Sequence, residues 1–173
     1  GAMGANTVGS ECVAIGTAAL QTANENDNDG TIAIGWGACR VQAGTGGAQY
    51  ANATTAVGHK ALTALTSGGN NTAAGYEAGK AITVGDHNTV LGHSALALEV
   101  GGQNSVAIGS AALYTQDGGD SDTAMNNIGI GRNAGYNNVT GTNNTWVGNS
   151  AGSGGTGSNS SNVGVGSSAL TAI

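Results

Sequence analysis

The chain has 173 residues, of which 33 are glycine, none is proline or phenylalanine, and 3% are aromatic, too few for the core of an ordinary globular domain. Ten acidic residues against four Lys plus Arg give a formal charge of −6, which excludes the basic face that nucleic-acid binding needs. No apolar run approaches the roughly 18–20 residues of a membrane span, which excludes membrane insertion by an apolar helix.

In chain order, Gly1-Ala2-Met3 reads as a cloning remnant, and residues 1–10 as a lead-in segment with Asn6-Thr7-Val8-Gly9 as a degenerate coil. From residue 11 to 173 one phrase recurs. It closes on Gly16, Gly35, Gly58, Gly75, Gly92, Gly109, Gly131, Gly148 and Gly166, at spacings of 19, 23, 17, 17, 17, 22, 17 and 18. An alanine stands three residues after every one of these glycines, from Ala19 to Ala169. Such a period marks a repeat architecture.

The residue before each closing glycine is apolar, as in Ile15, Val57 and Ile108. Two places earlier come Val13, Ile32, Thr55, Thr72, Thr89, Val106, Ile128, Thr145 and Val163. Residues two apart share one face of a strand, and these are mostly β-branched, which suits a pleated surface. Each repeat therefore reads as a short strand, a bend at glycine, a second short strand around Ala-Leu, and a polar return. The β-branched columns are expected to form the inner face. A repeat this short cannot bury its own apolar side, so like residues must stack on like. The expectation is an all-β, single-domain, parallel β-solenoid of about nine coils over residues 11–173. Lateral association into a homotrimer would bury apolar area that one thin roll leaves exposed. Ile173 follows a repeat with no capping element, so the segment reads as a fragment of a longer fibre.

Three insertions interrupt the period. The first is acidic, Asn24 to Gly30; the longest is 40–52; the third is Asp117-Gly118-Gly119-Asp120-Ser121-Asp122. Asp27 with Asp29, and Asp117 with Asp120 and Asp122, are short-spaced carboxylates of the kind that hold calcium in flexible loops. Plain solvated acidic loops are the alternative reading. Cys12 and Cys39 fall in different columns and read as two small buried thiols, too few for a zinc site built of thiolates alone.

Asn-Ser-Val-Ala-Ile-Gly (104–109), followed by x-x-Ala, resembles the head repeats of trimeric autotransporter adhesins. Asn-Asn-Thr-Ala-Ala-Gly-Tyr-Glu-Ala-Gly (70–79) and Asn-Asn-Thr-Trp-Val-Gly-Asn-Ser-Ala-Gly (143–152) are similar to repeats of bacteriophage tail fibres. The resemblance covers residues 11 to 170, although the adhesin repeat is shorter and more constant. It implies a left-handed parallel β-roll, three chains side by side, and attachment to a host cell surface, with the chain on a virion or a bacterial cell surface.

Enzyme signatures are weak, and the expectation is no enzyme. Gly164-Val-Gly166-Ser-Ser-Ala169 matches a dinucleotide fingerprint in letters, but no βαβ unit or long helix surrounds it. The carboxylates sit mainly in loops rather than as an isolated pair, leaving open only a depolymerising spike that draws them from different coils or chains. Ice binding would need a flat outward Thr-x-Thr array, whereas threonine recurs in a single column expected to face inward.

One column stands out. The residues just after the closing glycines include Trp36, His59, Tyr76 and His93 in four consecutive repeats, where other repeats have Thr, Ser, Asn or Arg. Stacked at the strand spacing they would form a ladder. One reading is stacking between coils or a subunit contact. The other is a platform for sugar rings, with imidazole and phenol groups fixing hydroxyls of a host cell-surface glycan. Two functions follow: a receptor-binding fibre segment, or a structural spacer without its own ligand site.

Overall fold

The computed structural model describes residues 1–2, 11–21, 29–41, 51–121, 123–154 and 157–171. Within them the repeated triplet before each closing glycine is a strand: β1 Val13–Ile15, β2 Ile32–Ile34, β3 Thr55–Val57, β4 Thr72–Ala74, β5 Thr89–Leu91, β7 Val106–Ile108, β9 Ile128–Ile130, β10 Thr145–Val147 and β11 Val163–Val165. Two shorter strands, β6 Gly102–Gln103 and β8 Thr123–Ala124, pair with each other.

The nine triplets form one parallel sheet in chain order, skipping only β6 and β8. Register follows the sequence columns: Val13 pairs with Ile32, Ile32 with Thr55, Thr55 with Thr72 and Thr72 with Thr89. The same column continues through Val106, Ile128, Thr145 and Val163. Each strand pairs with its counterpart one repeat away, so the chain winds as a parallel β-solenoid. No helix occurs among the described residues.

The inner face differs from expectation. The middle residue of each triplet points inward, and Ala33, Ala56, Ala73, Val90 and Ala107 are fully buried. The β-branched columns point outward: Ile15 is 57% exposed and Val163 is 70% exposed. The reason is thickness. The opposite wall brings a second column of small residues, Ala19, Ala38, Ala61, Ala78, Ala95, Ala112, Ala134 and Ala151, all fully buried. Walls this close leave room for methyl groups but not for opposed Val and Ile. The Thr column therefore also faces outward, as Thr-x-Val, Thr-x-Ala or Thr-x-Leu, so no Thr-x-Thr pair arises.

The expected second strand around Ala-Leu is instead a turn. All 22 described non-glycine residues with positive φ fall in three columns: two and four after the closing glycine, and five before it. Lys60 (φ 58) and Leu62 (φ 49) illustrate the first two. The two left-handed residues of a turn send their N–H groups to opposite neighbours, while the alanine between them bonds back to the closing glycine. Lys60 N–H donates back to Trp36 O at 2.8 Å, and Leu62 N–H donates forward to Ala78 O at 3.0 Å. A left-handed leucine costs about 1–2 kcal/mol. Full burial of Leu20, Leu62, Leu96 and Leu113 offsets it. In the column before the strand, Asn70, Asn104, Asn126 and Asn143 supply the non-glycine residue that best tolerates this conformation.

The closing glycine is required by geometry. At Gly75, φ is +141°, and a Cβ there would stand 2.5 Å from the carbonyl oxygen of Gly92 on the next coil. Polar side chains fill the remaining corner. Asn71 Oδ1 accepts from Asn88 N–H, and Asn88 Oδ1 accepts from Ser105 N–H, both at 2.9 Å. Each asparagine also donates through Nδ2 to a glycine carbonyl of the next coil, Gly85 and Gly102, at 2.8 Å. A buried side chain thus replaces backbone pairing where the chain enters the sheet.

Candidate ligand-binding face

The solenoid sets the site directly. Trp36, His59, Tyr76 and His93 each follow a closing glycine, so coil register brings them together. Ring centroids lie 4.9, 5.0 and 5.2 Å apart in sequence, with interplanar angles of 16°, 4° and 8°. All four side chains are exposed, Trp36 at 44% and Tyr76 at 47%. The stack has a chemical consequence. His59 lies between Trp36 and Tyr76, and Tyr76 between His59 and His93, so both faces of these inner rings are covered. A sugar ring cannot lie flat on them. What the middle of the ladder offers is ring edges and polar tips, the imidazole nitrogens and the phenol hydroxyl, repeated once per coil.

Beside the ladder runs a groove of about 530 Å³ lined by Trp36, Arg40, Lys60, Thr63, Glu77 and Lys80, among others. Lys60 Nζ stands 5.5 Å from the centroid of the Trp36 ring, within cation–π range. Lys80 Nζ donates to Glu77 Oε2 at 2.7 Å. That hydrogen bond holds the Glu77 carboxyl below its usual range and raises the Lys80 ammonium above its own. Both side chains are only partly exposed, and the pair fixes the shape of the groove wall.

Two features were not singled out from the sequence. Tyr114 and Tyr136 stack at 5.1 Å and 2°, in the column five residues after the closing glycine. Arg40, Thr63 and Lys80 occupy that same column in earlier coils, so its composition was the available signal. The second feature is Glu99, which is fully buried. Its carboxylate accepts from the N–H groups of Val100 at 3.0 Å, Gly102 at 2.6 Å and Gly118 at 2.8 Å, and from Gln116 Nε2 at 2.8 Å. Gln116 also donates to Ser105 Oγ at 2.9 Å and accepts from Asn127 Nδ2 at 2.8 Å, bridging the break that Ser105 makes in the asparagine column. Gly118 and Gln116 tie the start of the acidic insertion to the coil beneath it, and with the two local N–H groups they give the buried carboxylate the donors it requires.

The calcium candidates divide. Asp27 and Asp122 lie outside the described residues. Asp117 Oδ1 accepts from Gly119 N–H at 2.9 Å and shapes a turn, while Asp29 and Asp120 are exposed. Among the described residues no group of three or more His, Cys, Asp or Glu is placed to hold a metal. Neither thiol is in a disulfide: Cys39 is buried, and Cys12 is half-buried rather than buried as expected. Burial pushes the Cys39 thiol up to about 12. Among the described residues no helix is long and apolar enough to cross a membrane.

Comparison of the chain with protein-family models, with curated proteins and with solved structures finds no match.

Proposed function

We propose that this chain is a non-enzymatic segment of a viral tail fibre or bacterial surface adhesin, and that it attaches to a host cell-surface glycan through the Trp36–His59–Tyr76–His93 ladder. The carrying observation is the ladder itself. The same column accepts Thr17, Ser110, Asn149 and Ser167 elsewhere, so the coil does not need rings to form. Four exposed rings in consecutive coils present a row of hydrogen-bonding tips at about the spacing of the strands.

In the same proposal three copies associate side by side through the outward face of the nine-stranded sheet. Three residues at about 3.3 Å rise, across nine strands about 4.8 Å apart, give a face of roughly 400 Å². That is the size of the largest apolar patch on a typical monomer, which is often a functional surface. Its side chains include Ile15, Ile32, Val57, Ile130, Val163 and Val165, all exposed in the single chain.

The test is Tyr76→Ser with His93→Ser, residues the column already carries. The expected result is a folded, associated protein that no longer binds cells or a glycan array. Retained binding sinks the ladder as a receptor site. Loss of association makes it a subunit contact instead. A second reading, a structural spacer, is favoured by one observation: the inner rings spend both faces on each other, as a stack that only stiffens the coils would.

A further inference from the structure

The groove beside the ladder gathers most of the positive charge of an acidic chain. Lys plus Arg number four in the whole sequence, and Arg40, Lys60 and Lys80 are three of them. Among the described residues that line the groove Glu77 is the one acidic residue, so those residues carry a formal charge of +3 − 1 = +2, on a chain of net charge −6. In such a field one cationic groove is where an anion gains most.

We propose that the groove and the ladder together take an acidic saccharide, with carboxylate, sulfate or phosphate groups in the groove and hydroxyls at the ring edges. The inference rests on the glycan-binding reading of the ladder and adds the class of glycan. Arg40 and Lys80 stand in one column two coils apart, about 10 Å at the strand spacing. Thr63 lies on the coil between them, in the same column. That separation matches acidic groups on alternate sugars of a chain laid along the solenoid axis. Lys60 sits between groove and ladder, held against the Trp36 ring. Glu77 anchors Lys80, and its carboxylate also accepts from sugar hydroxyls, which a bare anion does not offer. The ring tips do the same work: they recognise hydroxyls and leave the charge to the groove. A nucleic-acid ligand is disfavoured, because two net positive charges neutralise too few phosphates against the negative field of the rest of the chain.

The experiment uses the whole chain, with oligogalacturonate, its methyl ester, a sulfated galactan and inorganic phosphate as probes in calorimetry at low and moderate salt. Wild type is expected to bind the acidic oligosaccharides at least about tenfold more tightly than the neutral ester, with affinity falling as salt rises. Lys60→Gln with Lys80→Gln, checked for an unchanged far-ultraviolet spectrum, is expected to lose that preference and keep the weak binding of the neutral ester. Acidic binding unchanged in this variant overturns the groove and leaves the ladder reading standing. Phosphate competing as well as the oligosaccharide at equal charge overturns the saccharide assignment, since the groove is then a simple anion site. Wild type binding neither acidic nor neutral probe overturns both the groove and the ladder beneath it.

Discussion

The indole of Trp146 occupies the space that a side chain at Gly152 would need: a Cβ there would run into the indole Nε1 and its neighbouring ring carbons. Trp146 is 2% exposed and stands in the inward column that is alanine in most coils. Room for it comes from glycines on the adjoining walls. A Cβ at Gly135 would lie 2.5 Å from Trp146 Cε3, and one at Gly164 would lie 3.3 Å from Cδ1. The indole Nε1 is buried without a hydrogen-bond partner, a cost accepted for filling a volume this large.

That relationship predicts a compensating pair. Trp146→Ala alone should destabilise by about 3 kcal/mol, because the glycines cannot close the cavity. Gly152→Leu alone should cost a similar amount through overpacking, about 1–3 kcal/mol. The double variant restores the ordinary coil, with alanine inward and a left-handed leucine in the turn, as at Leu62 and Leu96. Urea unfolding of all four proteins should give a coupling of about 2 kcal/mol toward stability. Additive costs would mean that the two sites do not share this space.

The buried asparagine column predicts a second effect. Asn88→Ala removes the acceptor for Ser105 N–H and the donor for Gly102 O, both buried. Leaving both unpaired should cost about 2–4 kcal/mol. Hydrogen exchange at the Ser105 amide should rise beyond the global change. An exchange rate at Ser105 that only tracks overall stability would show that another group takes over the acceptor role.

Cys39 predicts an alkaline dependence. Its folded thiol titrates at about 12, against about 8.5 for an exposed thiol. Between those values the unfolded chain loses the proton and the folded chain keeps it. Stability is therefore complete below the unfolded value and falls as pH rises, by up to about 1.4 kcal/mol per unit. Comparing wild type with Cys39→Ala cancels the other titrating groups. Wild type should lose ground steadily from pH 9 to 11; parallel curves would show that the thiol is not shielded. At neutral pH a thiol reagent should reach Cys39 only after unfolding.

Register was legible because it is written in residues that only one backbone tolerates. The closing glycines and the alanine three places later align nine strands without further information. Which face of the strand is inner was not legible. Period-2 patterning assigns β-branched residues to the core, and that assumption fails where two walls approach closely enough to accept only Ala19 against Ala33-sized groups. The turn was misread as a strand because leucine in a left-handed conformation contradicts local propensity, and only burial at Leu20 and Leu62 sustains it. The ladder was legible as a column, but its covered faces follow from ring orientation, which spacing does not carry. Glu99 escaped notice because its four donors come from backbone and from an insertion whose path the period does not set.

The outward sheet face supplies the last prediction. Ile130 lies on the seventh of the nine strands of that face, paired in register with Ile108 on one side and Val147 on the other, and is 36% exposed in the single chain. If the face meets solvent, Ile130→Lys is an ordinary surface change worth within about 0.5 kcal/mol, and the mass in solution stays the same. If three copies meet there, the substitution buries three like charges in an apolar contact without partners, which no side-by-side trimer tolerates. We expect the second outcome. Light scattering should show wild type at three times the chain mass and Ile130→Lys at the mass of one chain, with the far-ultraviolet spectrum retained. The melting temperature should depend on protein concentration for wild type and not for the variant. Ser110→Lys is the control, in a column that already carries Arg132, and it should leave the mass unchanged. A wild-type monomer at every concentration would remove the trimer and leave the β-branched face needing a different partner, while the solenoid, whose core is alanine on alanine, stands without it.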